Sequence, residues 1–420
     1  MNRLEELIAE YCPNGVMFFK LENITTGINI GINPRKFFKL NPDGAAGFYV
    51  TVRELNGLHG VRQYEKTDKI DLEAVQIIRE RANIERGDIL FSNTGTVGKL
   101  ALVLETPHNW GVNEGIYVIK PIHQLVDSRF LYYFLASKHA YRDYSSKFTG
   151  STLKHVTQKA LLSLSVPVPP LPVQREIVRI LDNFTELTAE LTAELTARKK
   201  QYEYYRHELL TFGPDVPRIT LGEVGPVCMC KRILKSQTNT EGGIPFFKIG
   251  TFGKEANAYI SKKTFEEYKS KYNYPKKGDI LISAAGTIGR TVVFDGEPAY
   301  FQDSNIVWID NDETKVLNEF LLYCYAMKPW AVSEGGTIPR LYNDNIMRAV
   351  IPCPSIEEQR RIVSLLHKFD TLCNDISSGL PAEIQARQKQ YEYYRDKLLS
   401  FKEIETKRTS ARFLNSRFIQ

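Results

Sequence analysis

No run of about 18 apolar residues occurs anywhere in the chain, so nothing in it reads as a membrane-crossing helix. The opening Met1-Asn2-Arg3-Leu4-Glu5-Glu6-Leu7-Ile8 puts two carboxylates where a secretory signal needs its apolar core. Neither sign of charge dominates, with 55 basic against 49 acidic residues leaving a formal +6. That balance permits a polyanionic partner but falls short of the strongly basic pattern that announces one. Cysteine is scarce. The six, at Cys12, Cys228, Cys230, Cys324, Cys353 and Cys373, form no CxxC pair, and Cys228-Met229-Cys230 has neither a second pair nor nearby histidines to complete a zinc site. These absences predict a cytoplasmic protein with reduced thiols, no membrane segment and no metal.

Catalytic signatures are missing too, and no residue is assigned a catalytic role. A methyltransferase needs a cofactor-binding glycine loop and an Asn/Asp-Pro-Pro-aromatic segment, whereas Asn33-Pro34-Arg35 and Asn41-Pro42-Asp43 lack the second proline and the aromatic. A Walker loop is excluded, because Asn93 stands where the first glycine belongs and Leu100 where Ser or Thr belongs. A metal-dependent nuclease drawn from Asp215 with Glu267-x-Lys269 has long spacing and no equivalent in the first half of the chain.

What the chain does have is itself, twice. Gly87-Asp88-Ile89-Leu90-Phe91-Ser92-Asn93-Thr94-Gly95-Thr96-Val97-Gly98-Lys99 returns as Gly278-Asp279-Ile280-Leu281-Ile282-Ser283-Ala284-Ala285-Gly286-Thr287-Ile288-Gly289-Arg290. Val166-Pro167-Val168-Pro169 leading to Gln174-Arg175-Glu176-Ile177-Val178 is answered by Ile351-Pro352-Cys353-Pro354 leading to Gln359-Arg360-Arg361-Ile362-Val363. Gln201-Tyr202-Glu203-Tyr204-Tyr205-Arg206 recurs unchanged as Gln390-Tyr391-Glu392-Tyr393-Tyr394-Arg395. One duplication explains all three blocks.

Each copy has two parts. From about Val16 to Ser165, and again from Val216 to Ala349, short runs of Val, Ile, Phe and Tyr alternate with Gly, Asn and Asp turns, as in globular domains of mixed α/β or largely β type. From Leu171 to Phe212 apolar residues recur three and four apart, which predicts an amphipathic helix of about 60 Å if unbroken. Pro167, Pro169 and Pro172 hold the chain extended ahead of it, and Gly213-Pro214 ends it. Its counterpart, Ile356 to Phe401, is expected as two pieces broken at Ser378-Gly379-Leu380-Pro381. Leu4-Glu5-Glu6-Leu7-Ile8 and Pro13-Asn14-Gly15-Val16 resemble His207-Glu208-Leu209-Leu210 and Pro214-Asp215-Val216, so the chain starts with the end of a repeat, in a circular arrangement. The expected fold is α+β: two similar mixed α/β domains separated by a pair of long antiparallel helices forming a coiled coil, with an internal pseudo-two-fold repeat. The boundaries read as 1–165 for the first domain with its N-terminal helix, 166–212 for the first helical spacer, 213–350 for the second domain, 351–402 for the second helical region and 403–420 for a tail.

Two similar modules held apart by a stiff spacer suit a rod-shaped ligand with sites at fixed intervals, and DNA is such a ligand. Within the spacer, Thr188-Ala189-Glu190-Leu191 and Thr192-Ala193-Glu194-Leu195 follow a partial Thr185-Glu186-Leu187. One such unit adds about 6 Å and slightly more than a turn, which makes the helix an adjustable ruler. A helical linker lengthened by repeat slippage is the plainer alternative. A coiled-coil scaffold joining two proteins is the rival class, and salt-sensitive, sequence-selective DNA binding separates the two.

Those residues carry a family resemblance: the Pro-x-Pro approach and Gln174-Arg175, the Thr-Ala-Glu-Leu units, Gly379-Leu380-Pro381-Ala382-Glu383-Ile384 and the doubled Gln-Tyr-Glu-Tyr-Tyr-Arg. Across nearly its whole length the chain resembles the specificity subunits of Type I restriction-modification systems, with two target-recognition domains, each followed by a helical region. The resemblance implies a non-catalytic subunit of an adenine methyltransferase and restriction endonuclease complex. It implies binding to a bipartite, asymmetric double-stranded DNA target and to two methyltransferase and two restriction subunits. S-adenosylmethionine, ATP and Mg are then expected on the partners and none on this chain.

Candidate DNA contacts come from two matched loops. Thr96 and Lys99, with Thr287 and Arg290, lie on glycine turns that suit phosphate contact or simply join two core strands. Lys147, Thr152 and Lys154, with Thr337 and Arg340, lie on loops aligned through Gly150 and Gly335, suited to entering a groove or to anchoring the domain on its helix. Arg53, Arg62 and Lys248 are lone cations, and His59 belongs to no cluster. The group Tyr202, Tyr204, Tyr205 and Arg206, with Tyr391, Tyr393, Tyr394 and Arg395, covers more than one helix face. Tyr202, Tyr205, Arg206, Tyr391, Tyr394 and Arg395 are the candidate partner contacts, with internal packing as the alternative.

Overall fold

The runs Ile89-Leu90-Phe91 and Ile280-Leu281-Ile282 lack the polar alternation of a half-exposed strand because both faces of each are covered. A computed structural model describes residues 2–34, 37–150, 153–332 and 340–404. By its internal contacts the chain forms two units, Met1–Glu190 with Ile384–Gln420, and Leu191–Glu383. In the first, Ile89 and Phe91 enter one apolar cluster and Leu90 another. In the second, Ile280 and Ile282 enter one cluster and Leu281 another. Burial of each such side chain contributes about 1.5–3 kcal/mol.

The sheets repeat as the sequence does. The first unit orders Thr25–Ile30, Ile116–Pro121, Ile89–Ser92 and Leu100–Leu102, antiparallel throughout. The second orders Val227–Cys228, Ile306–Ile309, Ile280–Ser283 and Thr291–Val293, again antiparallel. A further sheet in each unit, of three strands in the first and four in the second, contains one parallel pair, Phe48 opposite Trp110 and Phe246 opposite Tyr300. One helix packs into the cluster behind it: Leu72–Ala82, capped by Asp71, or Lys262–Lys271, capped by Ser261. The fold is α+β, and neither unit is purely β.

The long helix runs unbroken over Leu171–Leu210, 40 residues. Pro172 lies inside its first turn rather than ahead of it, where a missing N–H costs nothing. The second helical region is two helices, Ile356–Asn374 and Leu380–Leu398. The break comes slightly earlier than the proline suggests: the Asp375 carboxylate accepts from the Ser377 and Ser378 hydroxyls, which hold its pKa down at about 2, and Pro381 sits in the next helix's first turn. Gly379 fits there because a Cβ would lie 2.4 Å from the Thr371 carbonyl oxygen.

Each unit combines the start of one helical region with the end of the other. In the first, Phe184 stacks on Tyr394 with ring centroids 5.4 Å apart. In the second, Phe369 stacks on Tyr205 at 5.5 Å. The first unit also closes through both ends of the described chain: the Val16 N–H donates to the Lys402 carbonyl (2.9 Å), the Ile404 N–H to the Val16 carbonyl (3.0 Å), and Leu4 and Leu399 share a core. That is the closure the circular arrangement expects.

A buried glutamine fixes each helix start to its domain. Gln174 Nε2 donates to the carbonyls of Leu125 (2.9 Å) and Pro169 (2.7 Å), while its Oε1 accepts from the Asp127 N–H (2.8 Å). Gln359 repeats this with Lys315 and Pro354 (both 2.9 Å) and the Leu317 N–H (2.9 Å). Both side chains are fully buried. Gln359→Leu keeps the volume but strands three backbone groups, each costing about 1–3 kcal/mol. We expect it to destabilise the chain by about 3 kcal/mol or more, read from urea unfolding followed by circular dichroism. A loss below about 1 kcal/mol would show that water replaces the amide there.

Candidate nucleic-acid interface

The two loops singled out in each repeat meet. In the first unit the turn between Ile89–Ser92 and Leu100–Leu102 is held by Ser92, whose Oγ donates to the Thr96 carbonyl (2.5 Å) and accepts from the Lys99 N–H (2.7 Å). In the second, Ser283 Oγ donates to the Thr287 carbonyl (2.5 Å) and accepts from the Arg290 N–H (2.9 Å). Gly98 has a φ of 89°, and a Cβ there would lie 2.3 Å from the Tyr144 hydroxyl. Gly289 has a φ of 76° against Trp330.

The turn's backbone donors are largely spent inside the fold: Val97 donates to Gly95 (3.0 Å), Gly98 to Ser92 (2.9 Å) and Gly95 to Lys154 of the neighbouring loop (2.9 Å). To that extent it is the tight turn between core strands. Thr96 and Thr287 remain exposed at the tips. Lys99 and Arg290 are half-buried staples. Lys99 Nζ donates to the carbonyls of Val52 (2.8 Å) and Arg53 (3.2 Å), and Arg290 Nη1 to that of Phe252 (2.9 Å).

Of the second loop pair, Thr152 and Thr337 lie outside the described residues. Lys147 pairs with Asp143 and donates to Ser163 Oγ (3.1 Å), whereas Lys154 is exposed. Arg340 Nη2 donates to the Ser304 carbonyl (2.9 Å), with its guanidinium 5.9 Å from the Tyr342 ring centroid. Arg53, exposed, is tied to Glu54 (2.7 Å). Burial works against the charge on that carboxylate, but bonds from Thr51, Arg53 and Thr67 outweigh it and hold its pKa below the usual range. Arg62 lies over Tyr64 at 5.3 Å, and Lys248 and Lys254 are exposed beside the loop that Arg290 secures. The face of each unit is thus a rigid turn with an exposed threonine, flanked by cations on loops the turn itself holds.

The aromatic groups divide by position. Tyr202 and Tyr391 turn inward, each with its arginine, Arg206 or Arg395, 5.4 Å over the ring. Tyr205 and Tyr394 take part in the helix stacking described above. Tyr204 and Tyr393, 60% and 61% exposed, are the most open rings of each group and stand outside the six candidate partner contacts. None of the six cysteines is paired, and burial pushes the thiols of Cys230 and Cys324 up to about 12. Glu267 pairs with Lys271 (2.9 Å) on its own helix, and Lys269 lies over Phe265 of that helix and Tyr274 just past its end. Among the described residues no group of three His, Cys, Asp or Glu is placed to hold a metal, and no helix is long and apolar enough to cross a membrane.

A putative type I restriction enzyme specificity subunit of Haemophilus influenzae is 54% identical over 297 residues, 69% of this chain and 76% of that protein. A type I restriction enzyme specificity subunit of Escherichia coli is 34% identical over 258 residues, 57% of this chain and 62% of its own length. Among solved structures, a chain from a study of the assembly of the type I restriction-modification system shares the fold with a TM-score of 0.61 at 21% identity, over 92% of this chain and 98% of its own. The S subunit from M. genitalium gives 0.50 at 15% identity, over 92% and 96%. The family model for the Type I restriction modification DNA specificity domain matches residues 13–198 and again 215–386. The duplication seen in sequence, sheets and helix starts is therefore a duplication of that domain, and the chain belongs to the Type I restriction-modification DNA specificity family.

Proposed function

We propose that the chain acts as the DNA-specificity subunit of a Type I restriction-modification complex, in which each recognition domain reads one part of a bipartite, asymmetric double-stranded target. The observation that carries this is one fold presented twice with different side chains at equivalent loop positions. His155 stands where Arg340 does, and Asn93-Thr94 where Ala284-Ala285 do. A common scaffold with unlike contacts gives two unlike half-sites. The helical regions set the gap and carry two methyltransferase and two restriction subunits. Chemistry belongs to those partners, which bind S-adenosylmethionine, ATP and Mg. The family match favours this reading over a scaffold without DNA recognition.

Single-molecule methylation sequencing of DNA from cells expressing this chain with its methyltransferase subunit tests it against the methyltransferase alone. We expect a new methylated motif in two parts with a fixed gap. No motif from an assembled complex would sink the proposal.

A further inference from the structure

Residues 155 and 340 occupy the same place in the two repeats. The N–H of the next residue donates to the carbonyl just past the central strand, Val156 to Asn93 (3.0 Å) and Leu341 to Ala284 (2.9 Å). A second carbonyl close by also corresponds between the units, that of Glu114 and that of Ser304. It is satisfied by different chemistry in each.

In the first unit, Asn93 Nδ2 donates to the Glu114 carbonyl (3.0 Å), which orients the amide with Oδ1 toward Thr94. Thr94 Oγ1 donates its single hydrogen to that Oδ1 (2.6 Å). The hydroxyl is then an acceptor toward His155 Nδ1, 2.8 Å away. The neutral imidazole accordingly carries its hydrogen on Nδ1, and Nε2 is a lone pair without a partner among the described residues. It is also not among the buried polar atoms left unpaired, so it reaches solvent. In the second unit Ala284 and Ala285 remove both relay members, and Arg340 Nη2 takes the Ser304 carbonyl itself (2.9 Å). What remains of the guanidinium can only donate. Exposed Thr149, Gly150 and Lys154 surround the first position, and exposed Tyr342 flanks the second.

We propose that this position reads one base in each half of the target with opposite hydrogen-bond polarity. His155 accepts from the exocyclic amino group of adenine or cytosine, and Arg340 donates to the acceptor edge of guanine in the major groove. The inference rests on the DNA-reading function proposed above. Asn93 and Thr94 are positioning residues that hold the tautomer.

The test is methylation sequencing with the cognate methyltransferase subunit, wild type first. If wild type gives no bipartite motif, the parent reading fails and this one with it. Given that motif, His155→Arg is expected to change one base in one half toward guanine, with roughly a tenfold or greater loss of methylation at the original motif. The other half and the gap should stay as they are. Thr94→Val keeps the shape but frees the imidazole to present either nitrogen, and should relax selectivity at that same base. An unchanged motif from both variants overturns the proposal. So does loss of every motif from both in an assembled complex, which marks a structural role. Should His155→Arg alone abolish methylation, Thr94→Val decides between these outcomes.

Discussion

Inserting one Thr-Ala-Glu-Leu unit after Leu195 is expected to lengthen the unread gap of the target by one to two base pairs and to leave both halves of the motif unchanged. The units are in tandem, so the new sequence is the same wherever among them the insertion is made. They occupy the middle of the 40-residue helix, where Ala189, Glu190, Ala193 and Glu194 are exposed. Upstream, the helix is built into the first unit's core through Val173, Ile177 and Leu181; downstream, Tyr202 and Leu210 belong to the second unit's core. The insertion therefore interrupts no fully buried contact. Four residues add about 6 Å, against about 3.4 Å per base pair. They also turn the helix about 40° beyond a full rotation, close to the roughly 35° between successive base pairs. Rise argues for nearly two base pairs and rotation for one. Methylation sequencing of the lengthened chain reads the gap directly, and an unchanged gap would defeat the ruler.

The duplication, the helices and the two turns could be read from the sequence because each is a local or periodic signal. The partners of the turn cations could not. Lys99 reaches the carbonyls of Val52 and Arg53, far away in the chain, and no local pattern around a glycine turn marks those partners. Gln174 and Gln359 were visible as part of a repeated pattern, but their three-bond role depends on loops that no periodicity marks. The exposure of the tyrosines is hidden for a different reason: in Tyr202-x-Tyr204-Tyr205 one helix turn offers rings to three directions, and only packing decides how far each is left in solvent. The Thr94 relay is visible only once residues 93, 94, 114 and 155 are brought together.

Replacing residues 21–164 by a second copy of residues 221–349 is expected to yield a motif whose second half occurs twice, with the gap unchanged. An exchange of residues 16–165 separates Met17–Phe19 from Val166–Val168, which pair with Met17 opposite Val168 and Phe19 opposite Val166. The narrower cut keeps both strands. Its two ends are already joined the same way in each domain: the Leu21 N–H donates to the Leu164 carbonyl and the Leu221 N–H to the Ala349 carbonyl, both at 2.9 Å. Gln174 would meet Lys315 and Leu317 in place of Leu125 and Asp127, groups that Gln359 already engages in the same manner. One position conflicts. Arg129 pairs with Asp182 at 2.9 Å, and Glu319 of the incoming domain would bring a carboxylate to that aspartate, whereas Tyr323 preserves a hydroxyl where Tyr133 donates to it (2.6 Å). The graft should therefore carry Glu319→Arg. If the domains read independently, methylation sequencing returns the doubled half-site. A motif altered in both halves would show that each domain's reading depends on its neighbour, and the modular account would fall.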